Sequence, residues 1–586
     1  MLPAETLINV RRPGRYIGHE WNIAKKDPSK VNFSFCLCFP DVYEIGMSHL
    51  GMRILYDILN SRKGLFCERA FCPWPDYKEA LLKNSSKLSS LETDTPLNKF
   101  DILGFSINNE LNYTNILNML SLGGIPLMAK DRPRDFPLII GGGNCTLNPE
   151  PIADFFDLFV VGEAEEIVLN IVEICKKFKK KNSRVCVRKE ELLVELCQLP
   201  GVYVPAFYHV EYNADFALKE FSPIKNNIPS VIKKLYVKDL NETSKCQNWI
   251  VPNIEIVHDR IGVEIMRGCM HGCRFCQARN YSHPLRIRAP KKIFELAKKL
   301  YKTSGYEQIS LLSLSSSDHP QIGEIVKFLI EHFSKKAVSV SLPSIRAKSV
   351  VGDISRLLAL QKKTGLTFAP EAGSEKLRRV INKNIDIDEL FKVANDAFKS
   401  GYRRIKLYFM IGLPKEDNLD LEAIIDLSHK LSEVRKEVCA KGAEINVSIS
   451  TLIPKPHTPF QWLGMESISR VLEKQEYLKQ LIKRDRQRLK LSFQDVYMGN
   501  LEAALSRGTR HLSKVILTAF NRGAQFDQWS EHFNFDNWRN SFSDHSIDMA
   551  EFAGRTLDLG KTLAWDYVDT GMNKQYLIEE FQKALI

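Results

Sequence analysis

Six short β-rich runs, most of them separated by helical stretches of roughly ten to twenty residues, occupy residues 256 to about 480 of this chain. They are RIGVEIM (260–266), QISLLSL (308–314), AVSVSL (337–342), GLTFAP (365–370), RIKLYFMIG (404–412) and INVSIST (445–451). Parallel strands need a long crossover between them, usually a helix, so this alternation restricts the region to a parallel α/β sheet. The first 170 or so residues alternate in the same way. Strands are expected there at NFSFCLCF (32–39), DILGFSI (101–107), PLIIGG (137–142) and DLFVVG (157–162), around the helical stretches SHLGMRILYDILNS and NELNYTNILNMLSLGG. The expected class is therefore α/β, with an N-terminal Rossmann-like doubly wound domain over 1–199. An interdomain connection follows over 200–255, where Pro and Asn scatter among short strand-like pieces. The second βα series fills 256–485, and a small, separate, mainly helical domain over 486–586 gathers Trp529, Trp538, Phe542, Trp565 and Tyr567 into a core.

Size and composition agree with several folded domains: 586 residues, 44% hydrophobic and 26% charged, at roughly 100–200 residues per domain. No run reaches the ~18 apolar residues of a membrane span, and MLPAETLINVRRPG lacks the apolar stretch of a secretion signal. A soluble cytoplasmic protein is expected. Lys and Arg number 82 against 70 Asp and Glu, a net charge of +12. This mild excess permits RNA or another phosphate-bearing partner without requiring one, and it concentrates in CKKFKKKNSRVCVRKE, from Lys176 to Lys189, and in KQLIKRDRQRLK (479–490).

Thirteen cysteines, an odd number without a secretion signal, point to reduced thiols. Ten are scattered and read as small buried apolar residues. The other three, Cys269, Cys273 and Cys276 in GVEIMRGCMHGCRFCQARNY, form C-x3-C-x2-C on a loop directly after the first strand of the second series. Gly268 and Gly272 let such a loop turn so that three thiolates wrap one soft metal centre. Structural zinc wants a fourth ligand, which His271 could supply. A 4Fe-4S cluster held by three cysteines instead leaves one iron for a ligand that is not protein.

These residues, with Phe275 before the third cysteine, resemble the radical S-adenosylmethionine (SAM) superfamily. The resemblance implies a partial (β/α)6 barrel, a 4Fe-4S cluster on Cys269, Cys273 and Cys276, and SAM chelated at the open iron. It further implies reductive cleavage of SAM to a 5'-deoxyadenosyl radical, with an electron donor such as flavodoxin or ferredoxin. By the same resemblance Phe275 lies against the adenine, and Ser313 and Ser315 of SLSSSD stand where the superfamily has Gly-Gly-Glu. Glu371 and Ser374 of APEAGSEKL approach the ribose or the methionine end, although Ser374 also reads as a plain helix N-cap. Backbone from Ile411 and Gly412 to Pro414 meets the adenine. His457 of IPKPHTPF either faces substrate or sits in a turn.

In the first domain PLIIGGGNCTLNPEPIADFFDLFVVGEAEE resembles a cobalamin-binding Rossmann domain. Gly141, Gly142 and Gly143 would let backbone approach a flat ligand at the carboxyl edge of the sheet, where Gly162 and Glu163 also stand. At the spacing of the cobalt-ligating Asp-x-His-x-x-Gly the chain has Asp41, Tyr43 and Gly46; tyrosine replaces histidine, and a phenol is a poor cobalt ligand. DVYEIGMSHLGMRILYDILN, CPWPDY, NNELNYTNILNMLSLGGIPL and WDYVDTGMNKQYL are similar to an uncharacterised radical SAM family with a cobalamin-binding-like domain. The expected function is a radical SAM enzyme acting on an unreactive C–H bond, with cobalamin-dependent methyl transfer as one form of it. Two alternatives stay open: a methylthiotransferase-like RNA-modifying enzyme, and a non-catalytic metal-binding protein.

Overall fold

The computed structural model describes residues 4–179, 188–242, 248–343, 366–483 and 488–586. Cys186, Cys246, the middle of each basic run and Gly365 lie outside the described residues.

The first sheet contains β1 (Phe33–Phe39), β2 (Leu65–Phe71), β3 (Ile102–Ser106), β4 (Leu138–Gly142), β5 (Leu158–Val160) and β6 (Val202–Tyr203), in the order β2-β1-β3-β4-β5-β6. All pairs are parallel except β5 with β6. The strand order reverses between β1 and β3, and open α/β sheets bind ligands in the crevice at such a point, beyond the carboxyl ends of the strands. Two of these strands correct the expected layout. LFCERAF (β2) is buried along its whole length but carries two charges in its middle. Glu68 is held there by Ser90 and Thr93, and Arg69 by Glu20 and Glu92. β6 lies past residue 199, so the sheet extends into the stretch expected as connection. That stretch also holds the antiparallel hairpin β7 (Tyr208–Tyr212) and β8 (Leu218–Pro223), and β9 (Ile232–Lys233), which pairs with Val568–Asp569.

In the second series the six expected strands are present as β10 (Ile261–Glu264), β13 (Gln308–Leu312), β14 (Ser339–Ser341), β15 (Leu366–Glu371), β16 (Arg404–Ile411) and β17 (Glu444–Thr451). A short antiparallel pair, β11 (Met266–Arg267) and β12 (Arg286–Ile287), flanks the cysteine loop. Among the described residues β10-β13-β14 form one parallel run and β15-β16-β17 another, which β18 (Leu489–Phe493) continues in parallel. The sheet therefore reaches past the boundary expected at 485. Two of the helices between its strands start at side-chain caps: Asp386 accepts from the backbone at the start of Ile387–Lys399, and Asp417 with Asp420 forms a capping box on Asn418–Val434.

The carboxy-terminal helices pack against both earlier parts of the chain. Leu501, Leu505, Leu512, Ile516 and Phe552 belong to the apolar core of the first sheet, whereas Leu577 and Phe581 pack with Trp462 and Leu413 beside the barrel. Trp538, Phe542, Trp565 and Tyr567 are buried, as core aromatics should be. Glu150, fully buried, accepts hydrogen bonds from Tyr203, Tyr212 and Tyr567 and pairs with Arg510 at 2.9 Å. Burial alone would raise its pKa, but Arg510 and the tyrosine hydroxyls hold the carboxyl below the ordinary range.

Candidate functional site

The cysteine loop leaves β11 at Gly268, whose φ of 92° suits glycine alone; a Cβ there would stand 2.8 Å from the carbonyls of Ser282 and Pro284. The loop ends where Cys276 donates its N–H to the Cys273 carbonyl (3.2 Å) and opens the helix Gln277–Tyr281. Arg274, between the second and third cysteines, fastens it to the barrel. Its guanidinium donates to the carbonyls of Arg379 and Val380 and pairs with Glu580 at 3.1 Å, and its own N–H donates to Ile381. Asn382 donates to the Gly272 carbonyl (2.9 Å), and His271 pairs with Asp318 at 2.7 Å.

Cys269, Cys273 and Cys276 line one cavity of about 320 Å³, together with Phe275, Ser315, Glu371 and Lys383. Ligands of a single tetrahedral zinc, each about 2.3 Å from the metal, would crowd within ~4 Å of one another. Among the described residues the one trio of possible ligands gathered within 4.8 Å is His209, Glu211 and Glu220, on the exposed β7–β8 hairpin. The three thiols of the cysteine loop are soft donors that share one cavity. Burial pushes the Cys276 thiol up to about 11, so its thiolate forms when a metal takes the place of the proton. Glu371 reaches the cavity through a bulge in β15 and a left-handed backbone (φ 68°), rare for a residue with a side chain, and lies 3.4 Å from Lys383.

Ser313, Ser374, Ile411, Gly412 and Pro414 do not themselves line this cavity. Ser313 bonds Ser316 and the N–H of Ser315. Ser374 caps the helix Glu375–Val380 and donates to Asp420, as its plain reading had it. Ile411 is buried in the sheet, Gly412 gives its N–H to Glu416, and neither these nor Pro414 line the cavity wall. His457 is buried against the Leu147 carbonyl (3.0 Å), and burial lowers its pKa to about 4. It is a packed, neutral side chain between the first two domains.

A second cavity, also about 320 Å³, opens at the carboxyl edge of the first sheet. Its floor is apolar, with Phe35, Leu37, Ile54 and Ile140, and Gly141, Gly142 and Gly143 form one side. A Cβ on Gly142 would meet only the Val160 carbonyl, at 4.0 Å, so the missing side chain leaves room for a flat ligand. Gly162 and Glu163 line this cavity, but Asp41, Tyr43 and Gly46 do not. Asp41 accepts from Trp529, Tyr43 donates to Glu20, and Gly46 is packed against Phe71. The imidazole at the cavity is His49, kept neutral by burial, which lowers its pKa to about 4, and turned so that Nδ1 accepts from the N–H of Met52.

The far wall comes from the barrel: Glu264, Arg267, Tyr281 and Ser282. Arg267, which carried no motif, joins three carboxylates, Glu163 (2.9 Å), Glu165 (2.7 Å) and Glu264 (2.9 Å). Arg286 adds two bonds of 2.8 Å to Glu163. Burial would raise Glu163, yet Arg286 and Arg267 hold it below the ordinary carboxylate range, whereas burial keeps Glu165 raised. The basic runs are engaged where they are described. Lys176, Lys177, Lys179 and Lys189 pair with Glu173, Glu195, Asp101 and Asp157, and Arg488 and Lys490 with Glu433 and Glu444. No helix among the described residues is long and apolar enough to cross a membrane.

Two family models match parts of this chain. Residues 51–205 match the family model "Radical SAM proteins, N-terminal", and residues 263–428 match "Radical SAM superfamily". MJ0966 of Methanocaldococcus jannaschii, itself uncharacterised, is 26% identical over 523 residues, 88% of this chain and 98% of that protein. The radical SAM methyltransferase TsrM of Kitasatospora setae, solved with cobalamin and a 4Fe-4S cluster bound, is similar at a TM-score of 0.52 and 10% identity, over 88% of this chain and 98% of its own. OxsB, a cobalamin-dependent SAM radical enzyme solved with aqua-cobalamin and SAM, has a TM-score of 0.45 at 13% identity, over 94% and 78%. At such identities the likeness to TsrM is one of fold.

Proposed function

The chain belongs to the radical SAM superfamily, and from that premise we propose that it binds a 4Fe-4S cluster and SAM in the cysteine-lined cavity and cobalamin in the cavity between its first two domains. The reaction proposed is functionalisation of an unreactive C–H bond, in its most specific form methyl transfer to carbon. The observation that carries the reading is the placement of one loop. Cys269, Cys273 and Cys276 face the barrel cavity, whereas Arg267 before them and Tyr281 after them line the interdomain cavity. When bound, the cluster would supply one electron to the SAM sulfonium, giving methionine and the 5'-deoxyadenosyl radical, and cobalamin would supply a cobalt able to pass on a methyl group.

The chain's own groups serve binding and exclusion of water. Lys383 and Glu371, of opposite charge on one wall, suit the carboxylate and ammonium of an amino acid such as the methionine end of SAM, and Phe275 offers a ring for the adenine to stack on. In the interdomain cavity the apolar floor suits a corrin ring, and the carboxylates of Glu163, Glu165 and Glu264 can accept from its peripheral amides. The test is anaerobic reconstitution with iron and sulfide, reduction in the presence of SAM, and assay of 5'-deoxyadenosine with and without cobalamin. Product from the native chain and none from Cys276→Ala is the expected result. Zinc without iron or sulfide in the isolated protein would overturn the reading in favour of a structural metal site.

A further inference from the structure

The cysteine loop is the partition between the two cavities. Upstream, Arg267 is one glycine away from Cys269 and is clamped by Glu163 and Glu165 of the first domain and by Glu264 of β10. Downstream, Tyr281 ends the helix opened by Cys276 and donates its hydroxyl to the Gly162 carbonyl (3.1 Å), and Ser282 accepts from Arg286, itself bound to Glu163. Gly268 closes the frame, since a Cβ there would stand 2.8 Å from the Ser282 and Pro284 carbonyls. Both ends of the loop are thus fixed to Gly162, Glu163 and Glu165, and all of these anchors line the interdomain cavity. Arg267 is half of no exposed, screened ion pair: its side chain is 13% exposed and its partners 15% or less. At such burial each bond constrains position as well as charge.

Resting on the cofactor reading above, we infer that Arg267 is a positioning residue that couples the two sites, so that cobalamin in the interdomain cavity and the cluster on the cysteine loop each tighten the binding of the other. The physical ground is shared ordering. A ligand that fills the interdomain cavity packs on Arg267, Tyr281 and Ser282 and takes up the freedom that their bonds leave them, and these residues bound the loop on which the three thiolates must meet. Whichever group binds first has ordered the loop for the second, and linkage makes the effect equal in both directions.

The test uses the full chain under anaerobic conditions and does not depend on turnover. Hydroxocobalamin is titrated by absorbance into cluster-loaded protein and into protein stripped of iron by a chelator, and the loss of the cluster to that chelator is followed with and without hydroxocobalamin. The expected result is hydroxocobalamin affinity about fivefold or more higher with the cluster in place and a matching slowing of cluster loss. In Arg267→Gln the ratio of affinities should fall towards one. Tyr281→Phe removes one hydroxyl at the other end of the loop without stranding a charge, and should lower the ratio in a chain that still folds. Equal affinity with and without cluster in the native chain would overturn the coupling, as would a ratio unchanged in both variants. Failure of hydroxocobalamin to bind at all would instead overturn the cofactor reading, and the coupling with it.

Discussion

Replacing Gly142 by valine would put two methyl groups into the interdomain cavity without straining the backbone, because Gly142 is a strand residue outside the positive-φ region and a Cβ on it meets only the Val160 carbonyl, at 4.0 Å. The expected outcome is loss of hydroxocobalamin binding with little change in thermal midpoint; retained binding would put the ligand elsewhere. Asp527 is a carboxyl set within the apolar core. It is buried between the first and last parts of the chain, where Thr114 (2.6 Å) and Trp538 (2.9 Å) donate to it, and burial lifts its pKa from 3.8 to about 6 against those two bonds. A raised folded-state pKa means that the stability this group contributes is complete below 3.8 and is lost as the pH rises through 6. Asparagine keeps the acceptor for Trp538 and can donate to Thr114. Asp527→Asn should therefore be more stable than the native chain above pH 6, by about 1–3 kcal/mol, with the gap closing below pH 4. Denaturant unfolding at the two pH values measures this, and a gap independent of pH would contradict it.

Elements were legible in the sequence to the degree that their signals are local. The six strands of the second series and the cysteine loop announce themselves by alternation and spacing, and they stand where expected. β2 did not, because Glu68 and Arg69 break its apolar run and their partners Ser90, Thr93, Glu20 and Glu92 lie more than twenty residues away. The site divides in the same way. The three cysteines fall within eight residues of sequence, but Arg267 meets Glu165 across 102 residues and His271 meets Asp318 across 47, and nothing local marks either pair. Ser374 and His457 carried local signals that serve caps and packing. One such long-range contact ties Glu150, at the start of the 3-10 helix Glu150–Phe155, to Arg510, two residues before the helix Leu512–Asn521. Glu150→Gln should leave Arg510 without its charge partner and lower unfolding stability by about 3–5 kcal/mol, read from denaturant midpoints. A loss under 1 kcal/mol would show that the tyrosine hydroxyls hold this junction without the charge.

For the whole molecule, the two sheets turn cavity walls towards a common loop, and the carboxy-terminal helices tie them by packing into the core of the first sheet and beside the barrel. That arrangement explains why the last hundred residues hold no metal spacing of their own and still matter: Glu580 of the final helix pairs with Arg274 inside the cysteine loop. Lys583→Ala, on the same helix but paired only at the surface with Glu580, should leave cluster retention unchanged. Glu580→Gln should speed cluster loss to a chelator, because it frees one bond of Arg274; equal rates in both variants would remove the carboxy-terminal helix from the site.

A cluster held by Cys269, Cys273 and Cys276 would have one iron left open for SAM. Electron paramagnetic resonance of the reduced, reconstituted chain, recorded before and after SAM is added, tests this. A 4Fe-4S signal whose g-values shift with SAM is expected from the native protein, and no comparable signal from Cys276→Ala. A signal indifferent to SAM, or one that survives the loss of Cys276, would contradict it.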